Sequence, residues 1–224
     1  GSRVAIGAHG NDNIGSNAGH VRVFGYDSVL QQWAQLGSDI DGEAAGDRNG
    51  YSVSLNAEGS RVAIGAYLNG GTGSSAGHVR VFNFDAAEQQ WAQLGADIDG
   101  EAPSDQAGYS VSMSGNGTHV AIGARMNDGA KSNAGHVRVF GYDFVLQQWI
   151  QVGPDIEGEA AGDESGYSVS LNAEGSRVAV GAYKNDGTAG SNAGHVRVYD
   201  SLSEPTGQPT SEPTAPTGQP SGLP

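Results

Sequence analysis

The chain of 224 residues contains 37 Gly, no Cys, and 25 acidic against 11 basic side chains, for a formal net charge of −14. That balance excludes a protein tracking nucleic-acid phosphates, which needs a basic face. The lack of Cys excludes a disulfide scaffold, thiolate metal sites and a Cys nucleophile, and no apolar run approaches the roughly 18 residues of a membrane span. In chain order, the first strand signal is Arg3-Val4-Ala5-Ile6, followed by a strand from His20 and another at Trp33. Tyr51, Val53 and Leu55 then alternate with Ser52 and Ser54, the period of a pleated strand. A polar turn, Asn56 to Ser60, leads into Arg61-Val62-Ala63-Ile64. A Gly/Asn/Ser loop from Gly65 to Gly77 precedes His78-Val79-Arg80-Val81-Phe82, and Asp85 to Gln90 turns the chain into Trp91-Ala92-Gln93-Leu94. Gly punctuates every candidate helix, so the chain reads as all-β.

These signals recur. Trp33, Trp91 and Trp149 are 58 residues apart, and so are Val4, Val62, Val120 and Val178. His20, His78 and His136 keep the step, and His195 follows at 59 because its loop carries one extra residue. Each full unit holds four short strands, a to d, and such repeated antiparallel units predict a β-propeller whose blades are covered on both faces. The predicted units are 1–49 (lacking a), 50–107, 108–165 and 166–200 (lacking d). They make about four blades, either a small ring or part of a longer propeller. From Ser201 the composition turns to Pro, Thr, Ser and Gly, with the repeats SEPT and PTGQP, which predicts a disordered linker or O-glycosylated stalk over 201–224.

The unit GYSVS…VAIGAY resembles the FG-GAP repeat of integrin α-subunit propellers, with Gly50-Tyr51 in place of FG and Gly65-Ala66-Tyr67 in place of GAP. Its longer pattern, through GHVRVF and W.QLG.DIDGEA, is similar to repeat units of large eukaryotic surface and secreted proteins. The integrin repeats often hold calcium in the a–b hairpin. Here that hairpin reads Asn56-Ala57-Glu58-Gly59 or Gly115-Asn116-Gly117, too few hard oxygens for a shell of roughly 6–8 ligands.

Antiparallel strands put the b–c and d–a connections on one face of the ring. The d–a connections carry 13 of the 25 acids, so that face is acidic. Its DxDGE segments offer candidate Ca²⁺ ligands: Asp39, Asp41 and Glu43, Asp97, Asp99 and Glu101, and Asp155, Glu157 and Glu159. The competing reading is a polar turn whose Asp accepts backbone N–H bonds. No other cofactor is expected. The recurrent His residues read as packing or hydrogen-bonding groups on strand c, and the tryptophans as blade-to-blade packing rather than a sugar-stacking surface.

No zincin helix or P-loop is present, and each acid of the DxDGE segments has near-copies in other units, unlike a catalytic pair. The expected function is therefore a non-enzymatic extracellular or cell-surface module for protein–protein interaction, adhesion or matrix assembly. A lectin-like propeller and a glycosidase or lyase are the alternatives. The expected partner is a protein or glycan on the acidic face, with self-assembly through open blade edges. The tail and one sequon, Asn116-Gly117-Thr118, place the expected setting outside the cell.

Overall fold

The computed structural model describes residues 1–129, 131–187 and 190–200, and the predicted linker at 201–224 lies outside the described residues. Every element among them is a strand. The first sheet holds β1 (Arg3–Ala8), β2 (His20–Asp27), β3 (Gln32–Gln35) and β4 (Ile40–Asp41). The second holds β5 (Ser52–Leu55), β6 (Arg61–Ala66), β7 (His78–Asp85), β8 (Gln90–Gln93) and β9 (Ile98–Asp99). The third holds β10 (Ala107–Met113), β11 (His119–Ala124), β12 (His136–Asp143), β13 (Gln148–Gln151) and β14 (Ile156–Glu157). The last holds β15 (Ser165–Leu171), β16 (Arg177–Ala182) and β17 (His195–Asp200). All named strand pairs are antiparallel and join sequence neighbours, apart from three short strands.

Those three, β4, β9 and β14, depart from the expected four-stranded blade. The outer strand β8 pairs only with Phe82–Asp85 of β7, which leaves the backbone of His78 and Val79 open on that edge. Ile98 and Asp99 fill the gap, pairing with Val79 and His78, and the same happens with β4 and β14. Unpaired backbone groups in a crowded joint are costly, so the connection folds back to satisfy them. Part of the segment read as a polar turn is therefore a fifth strand.

Alternation along each strand decides which residues meet which neighbour. In the second blade, Val62, Ile64, Arg80 and Phe82 share one side, because Val62 stands opposite Phe82 and Ile64 opposite Arg80. This front side packs on Val21, Val23 and Ile40 of the preceding blade. The back side presents Ala63, Val79, Val81 and Ile98 to Val111, Val120, Ile122 and Phe140 of the following blade. A third joint repeats the scheme with Val137 and Val139 against Val178, Val180 and Tyr199. Each joint is a small apolar core between two sheets, the source of most of the stability.

The FG-GAP signature lies across these joints. Gly65 on β6 faces Gly108 of the next unit so closely that a Cβ there would stand 2.1 Å from the Gly108 carbonyl oxygen. Gly108 has φ +80°, and Gly123 meets Gly166 in the same way. The Ser residues of the inner strands bond across the joint as well. Ser52 and Ser110 donate to the Gly108 and Gly166 carbonyls at 2.8 Å, and Ser54 and Ser112 accept from the Met113 and Leu171 N–H groups. Tyr51, Tyr109 and Tyr167 follow the glycines and stack in a row, with ring centroids 4.9 and 5.2 Å apart. Successive inner strands touch while the outer strand β3 is exposed throughout, which is the splay of propeller blades about an axis.

The two ends of the row are open. Ile6 is 51% exposed, whereas its counterparts Ile64 and Ile122 are at most 1% exposed. At the other end Val196 is 56% exposed, against 0% for Val79 and Val137. The first blade thus shows solvent a bare front side and the last a bare back side.

Candidate functional site

The acidic face is built from the d–a connections, and most of its candidate calcium ligands already hold protein partners. Asp39 accepts Arg22 Nε at 2.9 Å and Nη2 at 2.8 Å, and Gln35 Nε2 at 2.8 Å. The Arg22 bond, more than any other contact, lowers its pKa to about 2. Asp97 and Asp155 accept Gln93 and Gln151 through one oxygen, Oδ1. Asp41, Asp99 and Glu157 lie on the short strands, where their backbone carbonyls receive Arg80, Arg138 and Arg197 from the following blade. Burial, and then the neighbouring Asp97, pushes the Asp99 carboxyl up. Glu43, Glu101 and Glu159 face those same three arginines through Oε1, at 3.5, 3.4 and 2.8 Å.

The structure does not gather Asp39, Asp41 and Glu43, or their copies, around one point. Among the described residues it gathers two other sets, each within 4.8 Å: Glu43, His78 and Asp97, and Glu101, His136 and Asp155. Each joins a Glu from one blade to a His and an Asp from the next. His78 Nδ1 lies 3.9 Å from Glu43 Oε2 and 3.7 Å from Asp97 Oδ2. His136 Nδ1 lies 3.8 Å from Glu101 Oε2 and 3.9 Å from Asp155 Oδ2. Both histidines are 1% exposed. Burial first, then the adjacent Arg138, holds the His136 pKa down at about 4, and burial with Arg80 lowers that of His78. The imidazoles are therefore neutral at neutral pH. The sequence placed His on strand c correctly but gave no sign of this grouping, because each Glu comes from the preceding unit.

The end blades have incomplete sets. His20 faces Asp39 at 3.5 Å, where the Arg22 fork has closed on the Asp. His195 faces Glu159 at 3.7 Å, with no Asp beside it among the described residues.

Other acids of this face are structural. Asp47, Asp105 and Asp163 are buried and accept the side chains of Asn69, Asn127 and Asn185 at 3.1, 2.9 and 2.8 Å. The recurrence of this Asp and Asn at the unit step was a signal available in the sequence. Glu164, also buried, accepts Arg125 and Lys184 at 2.7 and 2.6 Å near the tyrosine row. Burial, with hydroxyl bonds to Tyr51 and Tyr167, raises the Tyr109 pKa. Trp91 and Trp149 wedge into the joints, their Nε1–H groups donating to the Leu36 and Leu94 carbonyls at 2.8 Å. Trp33, with no blade in front of it, is half exposed. Asn116 is exposed on the β10–β11 turn, its Oδ1 bonded by Thr118 Oγ1 at 2.7 Å.

Residues 90–140 match the FG-GAP repeat family, in agreement with the resemblance read from the sequence. No curated protein sequence matches the chain. Among solved structures it is similar to a putative 6-phosphogluconolactonase from Bacteroides uniformis, at 12% identity and TM-score 0.55, over 85% of this chain and 48% of that one. A periplasmic gluconolactonase from Pseudomonas aeruginosa matches at 14% identity and TM-score 0.55, over 88% and 50%. KlAtg21, solved in complex with the coiled coil of AgAtg16, matches at 15% identity and TM-score 0.50, over 81% and 49%. The chain therefore spans about half the length of these propellers. At such identities the likeness gives the fold alone, and this fold hosts unrelated functions.

Proposed function

We propose that the chain is a non-enzymatic propeller module, extracellular or at a cell surface, acting through protein–protein contact in adhesion or matrix assembly. The observation that carries this reading is the recurrence of the acidic-face glutamates with the same partners from blade to blade, Glu43, Glu101 and Glu159 facing Arg80, Arg138 and Arg197, which singles out no catalytic pair. Val4 and Ile6 at one end of the described row, and Val196 and Val198 at the other, have covered counterparts in the joints, so the side that fits them is that of another blade of the same repeat, whether of this chain or of a second copy. Contact between the two ends of separate chains is head-to-tail, and such contacts propagate. The acidic face adds long-range repulsion of like-charged partners and attraction of basic ones.

Light scattering over a concentration series tests the assembly. Wild type should grow in mass, while Ile6→Glu and Val196→Glu should each stay monomeric. A mixture of the two variants should form 1:1 dimers, since each retains the side the other lacks. Monomeric wild type at every concentration would overturn this reading. The exposed Asn116 sequon supports the extracellular setting. Expression through a eukaryotic secretory route should give a mass shift that Asn116→Gln removes, and an unshifted secreted chain would count against it.

The activity named for two of the solved relatives makes lactone hydrolysis the competing reading. Against it, the carboxylates of the DxDGE segments recur with the same kinds of partner from blade to blade, and Glu164, which has Arg48 and Gln106 as counterparts, is tied to Arg125 and Lys184. Turnover of a gluconolactone, lost on changing a single acid, would displace the non-enzymatic reading. A glycan array tests the lectin-like alternative, which the wedged positions of Trp91 and Trp149 disfavour.

A further inference from the structure

We propose that the first two of the three joints are binding sites for a divalent transition-metal ion of the zinc type, each held by a Glu from one blade and a His and Asp from the next. The ligands are Glu43, His78 and Asp97 in one joint and Glu101, His136 and Asp155 in the other.

The site is more than a cluster of acids. His136 is 1% exposed, and neither of its ring nitrogens has a hydrogen-bond partner. A buried imidazole left unpaired is costly, and here Nδ1 points between two carboxylate oxygens. The far oxygen of each carboxylate is already anchored. Asp155 Oδ1 accepts Gln151 Nε2 at 2.7 Å, and Glu101 Oε1 faces Arg138 Nη1 at 3.4 Å. Asp97 Oδ1 and Glu43 Oε1 are held in the same way by Gln93 and Arg80. The near oxygens, Oδ2 and Oε2, are the ones turned to the histidine. Outer-shell partners that fix the orientation of a ligand carboxylate are a regular part of metal sites.

Donor type and spacing select the ion. A tetrahedral zinc with bonds of about 2.0–2.2 Å sets its donors roughly 3.4 Å apart. The three donors lie within 4.8 Å of one another, with the His136 contacts at 3.8 and 3.9 Å, so Asp155 and the half-exposed Glu101 must move inward to close the shell. Three protein ligands leave a fourth position for water. A neutral imidazole suits zinc, copper, nickel and cobalt, whereas Ca²⁺ takes six to eight oxygens. This proposal is therefore distinct from a calcium site on the DxDGE segments. Among the described residues His20 has no Glu beside it and His195 no Asp, which leaves two complete sets.

Zn²⁺ titrated by calorimetry into tag-free, chelator-stripped protein, in the presence of excess CaCl₂, tests the proposal. Two equivalents should bind. Glu101→Gln should leave one, and Glu43→Gln/Glu101→Gln should leave none. Both glutamates are half exposed, so neither change should unfold the chain, and circular dichroism checks that. Glu88→Gln, an exposed acid on another turn, should keep two. Co²⁺ should show ligand-field absorption that falls in the same steps. Failure of wild type to bind, loss of binding to excess Ca²⁺, or a stoichiometry unmoved by the two glutamates would overturn the proposal.

Discussion

Adding one methyl group at the same repeat position in two blades should have very different consequences. In Gly123→Ala the new Cβ would stand 2.1 Å from the Gly166 carbonyl oxygen and 2.9 Å from its carbon. Ordinary contact begins near 3.4 Å, so the two sheets must part by about 1 Å, and backbone cannot rotate out of the way. Overpacking costs about 1–3 kcal/mol, and a clash with main chain belongs at the upper end, about 3 kcal/mol. In Gly181→Ala no following blade stands among the described residues. The new Cβ meets only the Ser168 hydroxyl at 2.3 Å, the end of a side chain that can turn. That variant should stay within about 0.5 kcal/mol of wild type. For a chain of this size, 3 kcal/mol corresponds to a fall in Tm of about 6–12 °C. Thermal melting followed by circular dichroism reads the difference. Equal losses in the two variants, or a neutral Gly123→Ala, would refute the claim that the Gly of one blade seats the Gly-Tyr of the next.

The tryptophans should divide in the same way. Trp149→Phe removes the bond to the Leu94 carbonyl and should cost about 1 kcal/mol or more in urea unfolding, whereas Trp33→Phe should cost little. Asp39 gives a pH signature. Its folded pKa, about 2, lies below the ordinary carboxylate value, so its contribution is present above about pH 4 and is lost as the pH falls toward 2. The carboxyl resonance of Asp39 should titrate near 2, and Arg22→Gln should return it toward the ordinary range. Millimolar CaCl₂ and NaCl of matched ionic strength should give the same melting midpoint, because Asp39 and the three DxDGE glutamates already face arginines. A rise in calcium alone that shrinks in Asp97→Asn/Asp99→Asn would contradict this.

Much of the fold was legible because it rests on local chemistry. The alternation of Tyr51, Val53 and Leu55 with serines marks a strand whose small face must fit a neighbour, and the recurring Gly of VAIGA marks a close approach. Ile98–Asp99 escaped because two residues have no period, and their pairing is decided by the unfilled edge of β7. The Glu–His–Asp sets escaped for a different reason. Glu43 and Asp97 occupy different units, and only the way one blade is set against the next brings both within reach of His78. Sequence spacing showed that these residues repeat but gave no indication of which copies meet.

Each joint takes its back half from one unit and its front half from the next. A tandem duplication of any 58-residue stretch would therefore copy one complete joint along with the blade. The inserted blade would meet old neighbours through surfaces already matched to it, and growth by whole repeats requires no new interface. Insertions of other lengths lack this freedom, because they would set valines against exposed polar positions. The one irregular step in the chain, the extra residue before His195, falls in a b–c loop and leaves His195 paired with Ala182 in the regular register. Lineages carrying this repeat are thus expected to differ in blade number more readily than in blade length.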